Sequence, residues 1–463
     1  MKRIITQLVL IFCVLGCEVL DQEPVSQITL ETALESGEDA EAALIGCYHQ
    51  LATTLSSRYI QWGDARADNL ATGLAASANL IENQLNANSS FGDWSSLYNT
   101  INRSNIVIDF VPAITEGITE TRKNEIIGEA KFIRALCYFY AVRLWGDVPL
   151  IITPTRSGRD LKVSRTPKQT VFDQIETDLV EALEAVPIEH GTTAENKGRA
   201  TKGAVLALQM HVFTWIAQRE GGGTDYFNRA DAAYNDLLAL NQYSLLPEGS
   251  YGLLFSRENT EESIFELQFN YENQNTNSLA SLLLQRPFLN SARATYRIDP
   301  KLLNAFEDGD LRKDVIVYYP GPGQIVQDPY TIKYTGKTQT PDGISLSDDN
   351  MIIFRLGGIL LLEAEVLNEL NRSDEAIVLV NLIRARAGLS PLDLGLSKEA
   401  TKQAILDEGF IELSYEGHRW FDLIRNGVAL EVLDDVQSED HLLWPIYTEE
   451  LVKNPNLVQN SFY

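Results

Sequence analysis

The chain has 463 residues, with 38 Lys and Arg against 64 Asp and Glu, a net charge of −26. Phosphate backbones are bound by neutralising them with Lys and Arg, so this balance argues against a nucleic-acid partner. The length exceeds the roughly 250–300 residues at which one core stops growing, and 44% apolar residues leave enough to bury, so two domains or one extended helical array are expected.

At the amino terminus, Lys2 and Arg3 precede a mostly apolar run from Ile4 to Leu15. That run is too short for a span, which needs roughly 20 apolar residues. Val14-Leu15-Gly16-Cys17 reads as a lipobox, so cleavage before Cys17 and lipidation of its sulfur are expected. Two or more acyl chains make such anchoring stable. Glu18, Asp21 and Glu23 ahead of Pro24 predict a polar tether over residues 17–29. Cys13 leaves with the leader, while Cys47 and Cys137 fall in helical patterns and read as small buried side chains. A disulfide between them is permitted in an oxidising compartment, but sequence cannot pair them.

Helical periodicity then recurs at useful length. Leu30 to Thr54 is amphipathic and rich in Ala and Glu, and Trp94 to Val111 carries Leu97, Ile101 and Ile108 before Pro112. Asn124 to Trp145 is apolar nearly all round, which predicts a central position. Gly146-Asp147 ends it, and Val148-Pro149 forbids continuation. Pro167 to Val186 stops at Pro187, Thr201 to Gln218 stops at Gly221-Gly222-Gly223, and Asp225 to Leu240 follows. Farther on, Met351 to Asn371 and Ser373 to Ala387 predict a helix pair with a very short turn. A last long helix is expected from Ser397, as N-cap, to Arg425, with Asn426-Gly427 as its stop.

Two irregular regions interrupt these helices. Ser56 to Gly92 holds Tyr59, Trp62 and Phe91. Gly249 to Asn350 is aromatic-rich and broken by Pro320-Gly321-Pro322-Gly323 and Pro341-Asp342-Gly343. Within it Ile264–Phe269, Val315–Tyr319 and Tyr330–Tyr334 alternate as short strands do. The helix pairs suggest a repeat. Ala364 and Ala376 lie twelve apart with Val380 and Ile383 following, the small-residue spacing of a tetratricopeptide (TPR) unit. Ala230, Tyr234 and Leu237 give a looser second case. The expected fold is mainly α: a TPR-like α-α superhelix over about 94–240 and 351–425 within a body of residues 30–463, with loop-rich regions and a few short strands.

Three separated blocks carry a resemblance. They are Gly128 to Leu150 (GEAKFIRALCYFYAVRLWGDVPL), Phe354-Arg355-Leu356 with Leu361 to Glu365 after Lys333-Tyr334, and Tyr415 to Asp422 (YEGHRWFD) with Trp444-Pro445-Ile446 and Asn454 to Asn460. With Cys17 followed by Leu20-Asp21 and Pro24, the chain resembles the SusD/RagB family over nearly its full length. The resemblance implies a lipid-anchored outer-membrane protein facing the cell exterior, which captures a glycan or other nutrient for a SusC-like TonB-dependent barrel. It implies no cofactor and no enzymatic activity. A peptide ligand or a TPR-like protein adaptor are the alternatives, and a glycoside hydrolase the remotest. The matching blocks are scaffold, so no ligand contact carries over, nor does the sequence say whether calcium is bound.

Chemistry is sparse on the sequence. There is no GxSxG, HExxH or Walker pattern, and the five histidines lack ligand spacing. His418 beside Glu416 reads as structural. Sugars present apolar C–H faces and a rim of hydroxyls, which aromatic rings with Asp, Asn and Arg satisfy. That composition, in loops where binding residues concentrate, points to Tyr59, Trp62, Asp64, Arg66, Tyr271 and Tyr296 as ligand contacts, with Trp62 the stacking platform.

Overall fold

Ser36 and Asp39 cap the first helix reciprocally: Asp39 N donates to Ser36 Oγ, and Asp39 Oδ2 accepts from Ser36 N at 2.9 Å. Helix α1 (Gly37–Gly63) buries Ala40, Leu44, Cys47, Leu51, Leu55 and Tyr59, a stripe at three- and four-residue spacing. The computed structural model describes residues 34–156, 162–323 and 327–463. Cys17 and the tether of residues 17–29 lie outside the described residues.

Helices α2 (Ser95–Phe110) and α3 (Glu120–Trp145) pack on α1 and on each other. As its all-round apolar pattern predicts, α3 is central: Phe132 through Trp145 are all buried. Helix α4 (Lys168–Ala185) lies against α3, and α5 (Lys202–Arg219) pairs with α6 (Gly223–Ala239). The second half repeats this arrangement in α7 (Leu356–Glu369) with α8 (Ser373–Arg386), flanked by α9 (Lys398–Glu412). Ala230, Ala364 and Ala376 are fully buried, so the small residues do let paired helices approach closely. The architecture is TPR-like and mainly α. The short α10 (Arg419–Arg425) follows, with two further short helices, Ala429–Val432 and Thr448–Lys453, after it.

Short antiparallel ribbons supply the strands. β1 (Leu70–Thr72) pairs with β3 (Tyr296–Ile298), β2 (Ser263–Leu267) with β6 (Met351–Arg355), and β4 (Val317–Tyr318) with β5 (Tyr330–Thr331). Apart from β6, these strands lie in the two regions expected to be irregular.

Three expectations need correction. Residues 56–63 are not loop but the last turns of α1, because Tyr59, Ile60 and Trp62 bury against the core and extend the helix beyond Thr54. Met351–Arg355 is a strand: five buried residues in a row satisfy either pattern, and pairing with β2 decides it. The helix from Ser397 breaks after Glu412, where Tyr415 and Gly417 take positive φ of 63° and 73°. That turn brings Gly417 against Gly63, and a Cβ on Gly63 would stand 2.1 Å from the Gly417 oxygen. Only glycine permits such an approach.

Beneath the turn lies a buried ion network. Arg355 donates to Glu416 (Nε–Oε2, 2.7 Å), Glu412 (Nη1–Oε1, 2.6 Å) and Glu262 (Nη1–Oε1, 2.9 Å). Arg386 holds Glu262 with two bonds of 2.8 Å and also reaches Glu412. Arg312 bridges Glu408 and Glu412, and Lys333 Nζ sits 2.6 Å from Glu416. It ties β6, α8, α9, the 413–418 turn and the residue just before β2 together.

Candidate functional site

The two loop regions meet. The β1/β3 ribbon joins them, Ser278 N donates to the Ser56 carbonyl at the end of α1, and Leu74 N donates to Thr295 O at 3.1 Å. The aromatics expected to present themselves there point inward instead. Trp62 is 1% exposed; its Nε1 donates to Phe91 O at 3.2 Å and its ring meets Trp145 edge-on at 5.5 Å. Tyr59 is buried and donates to Ile352 O, and Tyr296 is buried in β3 with Gln61 as a hydrogen-bond partner.

The polar residues of the same stretch are equally enclosed. Asp64 accepts from Asn69 Nδ2 and Gly417 N, both at 2.7 Å, and burial pushes its carboxyl up to about 7. Arg66 lies over Trp420 at 4.3 Å and donates to Asn83, His441 and Leu443 oxygens; burial lowers its guanidinium to about 10. As placed, Tyr59, Trp62, Asp64, Arg66 and Tyr296 are scaffold and not available to a ligand: every polar atom named is matched within the protein, as burial requires. Tyr271, at the Asn270–Asn275 turn, is the exception and is 46% exposed. His418 stacks on His211 at 5.8 Å, and burial lowers both imidazoles from their ordinary value.

Other rings reach the surface. Ala280, Leu284 and Tyr330 form a small apolar cluster separate from the main core, flanked by half-buried Phe288, Leu289, Tyr318 and Ile332. Satellite clusters of this kind form under long loops. Phe288 and Tyr318 meet edge-on at 5.6 Å, Tyr318 lies 5.2 Å from Tyr330, and Tyr330 Oη donates to Arg286 O at 3.0 Å. Beside them Tyr319 is 56% exposed. Arg297, paired with Asp328 at 2.6 Å and bonded to Thr72 O, borders the cluster where β3 meets β5. The result is a small apolar base with half-buried rings, and charged or amide groups (Arg286, Asn290, Arg293, Gln327) are exposed on the neighbouring loops. Tyr318-Tyr319 directly precedes Pro320-Gly321-Pro322-Gly323, so these rings stand at the mouth of a turn.

A groove of about 440 Å³ lies elsewhere, between α2 and residues 450–457, with Tyr98, Asn99, Asn102 and Lys453 on its walls. Among the described residues no group of three or more His, Cys, Asp or Glu side chains is placed to hold a metal ion, and no helix is long and apolar enough to cross a membrane.

Comparison with known proteins agrees along the chain. Residues 18–213 match a family described as starch-binding associating with outer membrane, and residues 319–435 match the SusD family. SusD-like protein P38 of Formosa agariphila is 29% identical over 97% of this chain and 96% of its own. A SusD-like protein of Bacteroides ovatus is 24% identical over 91% of this chain and 81% of its own. A SusD superfamily structure from Parabacteroides distasonis superposes with a TM-score of 0.80 at 25% identity, covering 93% of this chain and all (100%) of the other. A structure described as a laminarin-binding SusD-like protein gives 0.76 at 24% identity, again over 93% and 100%. Two family matches in chain order, relatives along the full length and one shared fold place the chain in the SusD/RagB family.

Proposed function

We propose that the protein binds a glycan at the cell surface, on the face formed by Phe288, Tyr318 and Tyr319, and passes it to a SusC-like TonB-dependent barrel. The observation that carries this reading is the satellite cluster, which packs Phe288 and Tyr318 half-buried at the surface with the exposed Tyr319 next in the chain, so a sugar face can stack on rings already in place. Lost conformational freedom is a main cost of binding, and a preformed platform avoids it. The neighbour described as laminarin-binding supports a glucan as the first ligand to test.

Tyr319 is the sharpest probe because its side chain is exposed and its loss should not disturb packing. Removing a principal contact typically costs about 1–2 kcal/mol, or roughly tenfold in affinity. Tyr319→Ala is therefore expected to weaken laminarin binding about tenfold with an unchanged melting temperature. Titration calorimetry decides it; wild-type affinity in the variant would move the site elsewhere, Tyr271 being the next ring to test.

Anchoring through Cys17 belongs to the same proposal, supported by the lipobox and by the family's association with the outer membrane. Cys17→Ala should block acylation and shift the protein from the membrane to the soluble fraction. Retention of the unacylated variant in membranes would refute the anchor.

A further inference from the structure

The groove of about 440 Å³ between α2 and residues 450–457 falls in the roughly 300–1,000 Å³ range of small-ligand sites. Its third wall is the extended segment 149–155, which follows α3. Three contacts, each joining two residues of the lining, fix side chains on these walls. Tyr98 Oη donates to Pro149 O at 2.7 Å, so its half-buried ring bridges from α2 to the segment opposite. Thr155 N donates to Asn102 Oδ1 at 2.8 Å, and Lys453 Nζ holds Glu450 Oε1 at 2.8 Å. From behind, Asn105 Nδ2 donates to Ile151 O at 2.9 Å and Thr153 O at 3.1 Å, and Tyr138 Oη donates to Ile151 O at 2.8 Å. The walls are thus set before any ligand arrives, which spares the ordering cost of binding.

The lining decides the ligand class. Trp94, Tyr98, Ile101, Ile151 and Leu457 make most of its surface apolar. Glu450 and Lys453 are its charged residues, and they neutralise each other. Two other cavities near this size are lined by unpaired mixtures of charge, one by Arg143, Asp147 and Arg165 among others, the second by Glu195, Arg199 and Lys337. Polar capacity is left over in the groove. A backbone N–H can only donate, so the amide oxygen of Asn102 faces Thr155 and its Nδ2 is the end left free. Asn102 Nδ2 and the exposed Asn99 amide have no protein partner among the described residues.

We infer that this groove is a second ligand site, which takes an uncharged mono- or disaccharide with its C–H face on the apolar wall and its hydroxyls on Asn99 and Asn102. A pyranose matches both parts of the lining, because hydroxyls donate and accept and no charge meets the closed Glu450–Lys453 pair. A purely apolar ligand would strip water from both amides without replacing its hydrogen bonds. An anion would find a lysine already paired. The choice of a sugar rests on the glycan reading, but the groove shares no residue with the Tyr319 face, so the two sites fail separately.

The test is titration calorimetry with saturation-transfer NMR on the full folded chain, using laminaribiose, cellobiose and mannobiose, with glucuronate and tri-alanine as charged and peptide controls. At least one disaccharide should bind the Tyr319→Ala chain, and neither control should. Adding Tyr98→Leu should weaken that binding at least tenfold. Because Tyr98 also holds Pro149, Asn99→Arg gives a second arm. That position is exposed, so the melting temperature should hold while a long charged side chain fills the groove and lowers disaccharide affinity at least tenfold. Failure of all three disaccharides to bind Tyr319→Ala, tighter binding of tri-alanine, or unchanged affinity in Asn99→Arg would overturn the inference. Disaccharide binding lost in Asn99→Arg, with laminarin affinity unchanged in Tyr319→Ala, would support the groove and move the Tyr319 site instead.

Discussion

Glu412→Ala is expected to destabilise the fold by at least about 3–5 kcal/mol, the usual cost of removing one partner from a buried ion pair. Glu412 is fully buried and engages three guanidiniums: Arg355, Arg386 and Arg312. Deleting its carboxylate leaves those cations in a low-dielectric interior, each short of one partner, with Glu262, Glu408, Glu416 and Asp310 remaining to balance them and Lys333. Glu412→Gln keeps the volume and some hydrogen bonds but still loses the charge, so it should fall between wild type and Ala.

Acid should act on the same network. Burial alone would raise the Glu412 carboxyl, but Arg386, Arg355 and Arg312 overcome it and hold it well below the ordinary carboxylate value. Glu416 is likewise held low, by Arg355 and Lys333 against its burial. A depressed folded value means that the unfolded chain takes up protons first as pH falls. The stabilisation is therefore complete above the unfolded Glu value of about 4.3 and is lost as pH drops below it toward the folded values. Urea midpoints at pH 7 and pH 4 measure both effects. The wild type should lose stability between them, and Glu412→Gln should start lower at pH 7 and lose less. A pH 7 midpoint for Glu412→Ala equal to wild type would show that the network contributes nothing net.

Trp62→Ala should cost about 3–5 kcal/mol, as for other large aromatic truncations in a core. The ring is 1% exposed and sits edge-on to Trp145 at 5.5 Å, with Tyr140 at 6.1 Å on its other side. Its removal leaves a cavity at the junction of α1 and α3 and deprives the Phe91 carbonyl of its donor. Trp62→Phe should be milder, losing the N–H and part of the volume. Denaturant unfolding followed by Trp fluorescence checks the order wild type, Phe, Ala. If Trp62→Ala kept its stability and lost laminarin binding instead, the ring would be a ligand contact and its place in the core would be wrong.

The scaffold was legible because helix periodicity is a local property. The run from Asn124 to Trp145 announced its central place in the order of its own residues, and Ala364 and Ala376 announced a close helix pair. The resembling blocks also acquire a physical meaning: Lys333, Arg355 and Glu416, read as three separate segments, meet in one buried network. Their partners Glu262, Arg386 and Glu412 lie outside those blocks, and nothing in spacing connects them.

Binding residues were not legible in the same way. A tryptophan among Asp, Arg and Asn has the same composition whether it faces a sugar or a core. Residues 59–69 are enclosed by distant chain: Trp145 against Trp62, Ile352 over Tyr59, and, more than 340 residues away, Gly417 against Asp64, His441 and Leu443 against Arg66, and Asn69 under Tyr415. The sequence by itself determined the helices, their pairing by small residues and the location of the aromatic-rich irregular regions. Only the tertiary structure decided which rings stayed open, since exposure depends on contacts made across the whole chain, and those turned Trp62 inward and left Tyr319 at the surface.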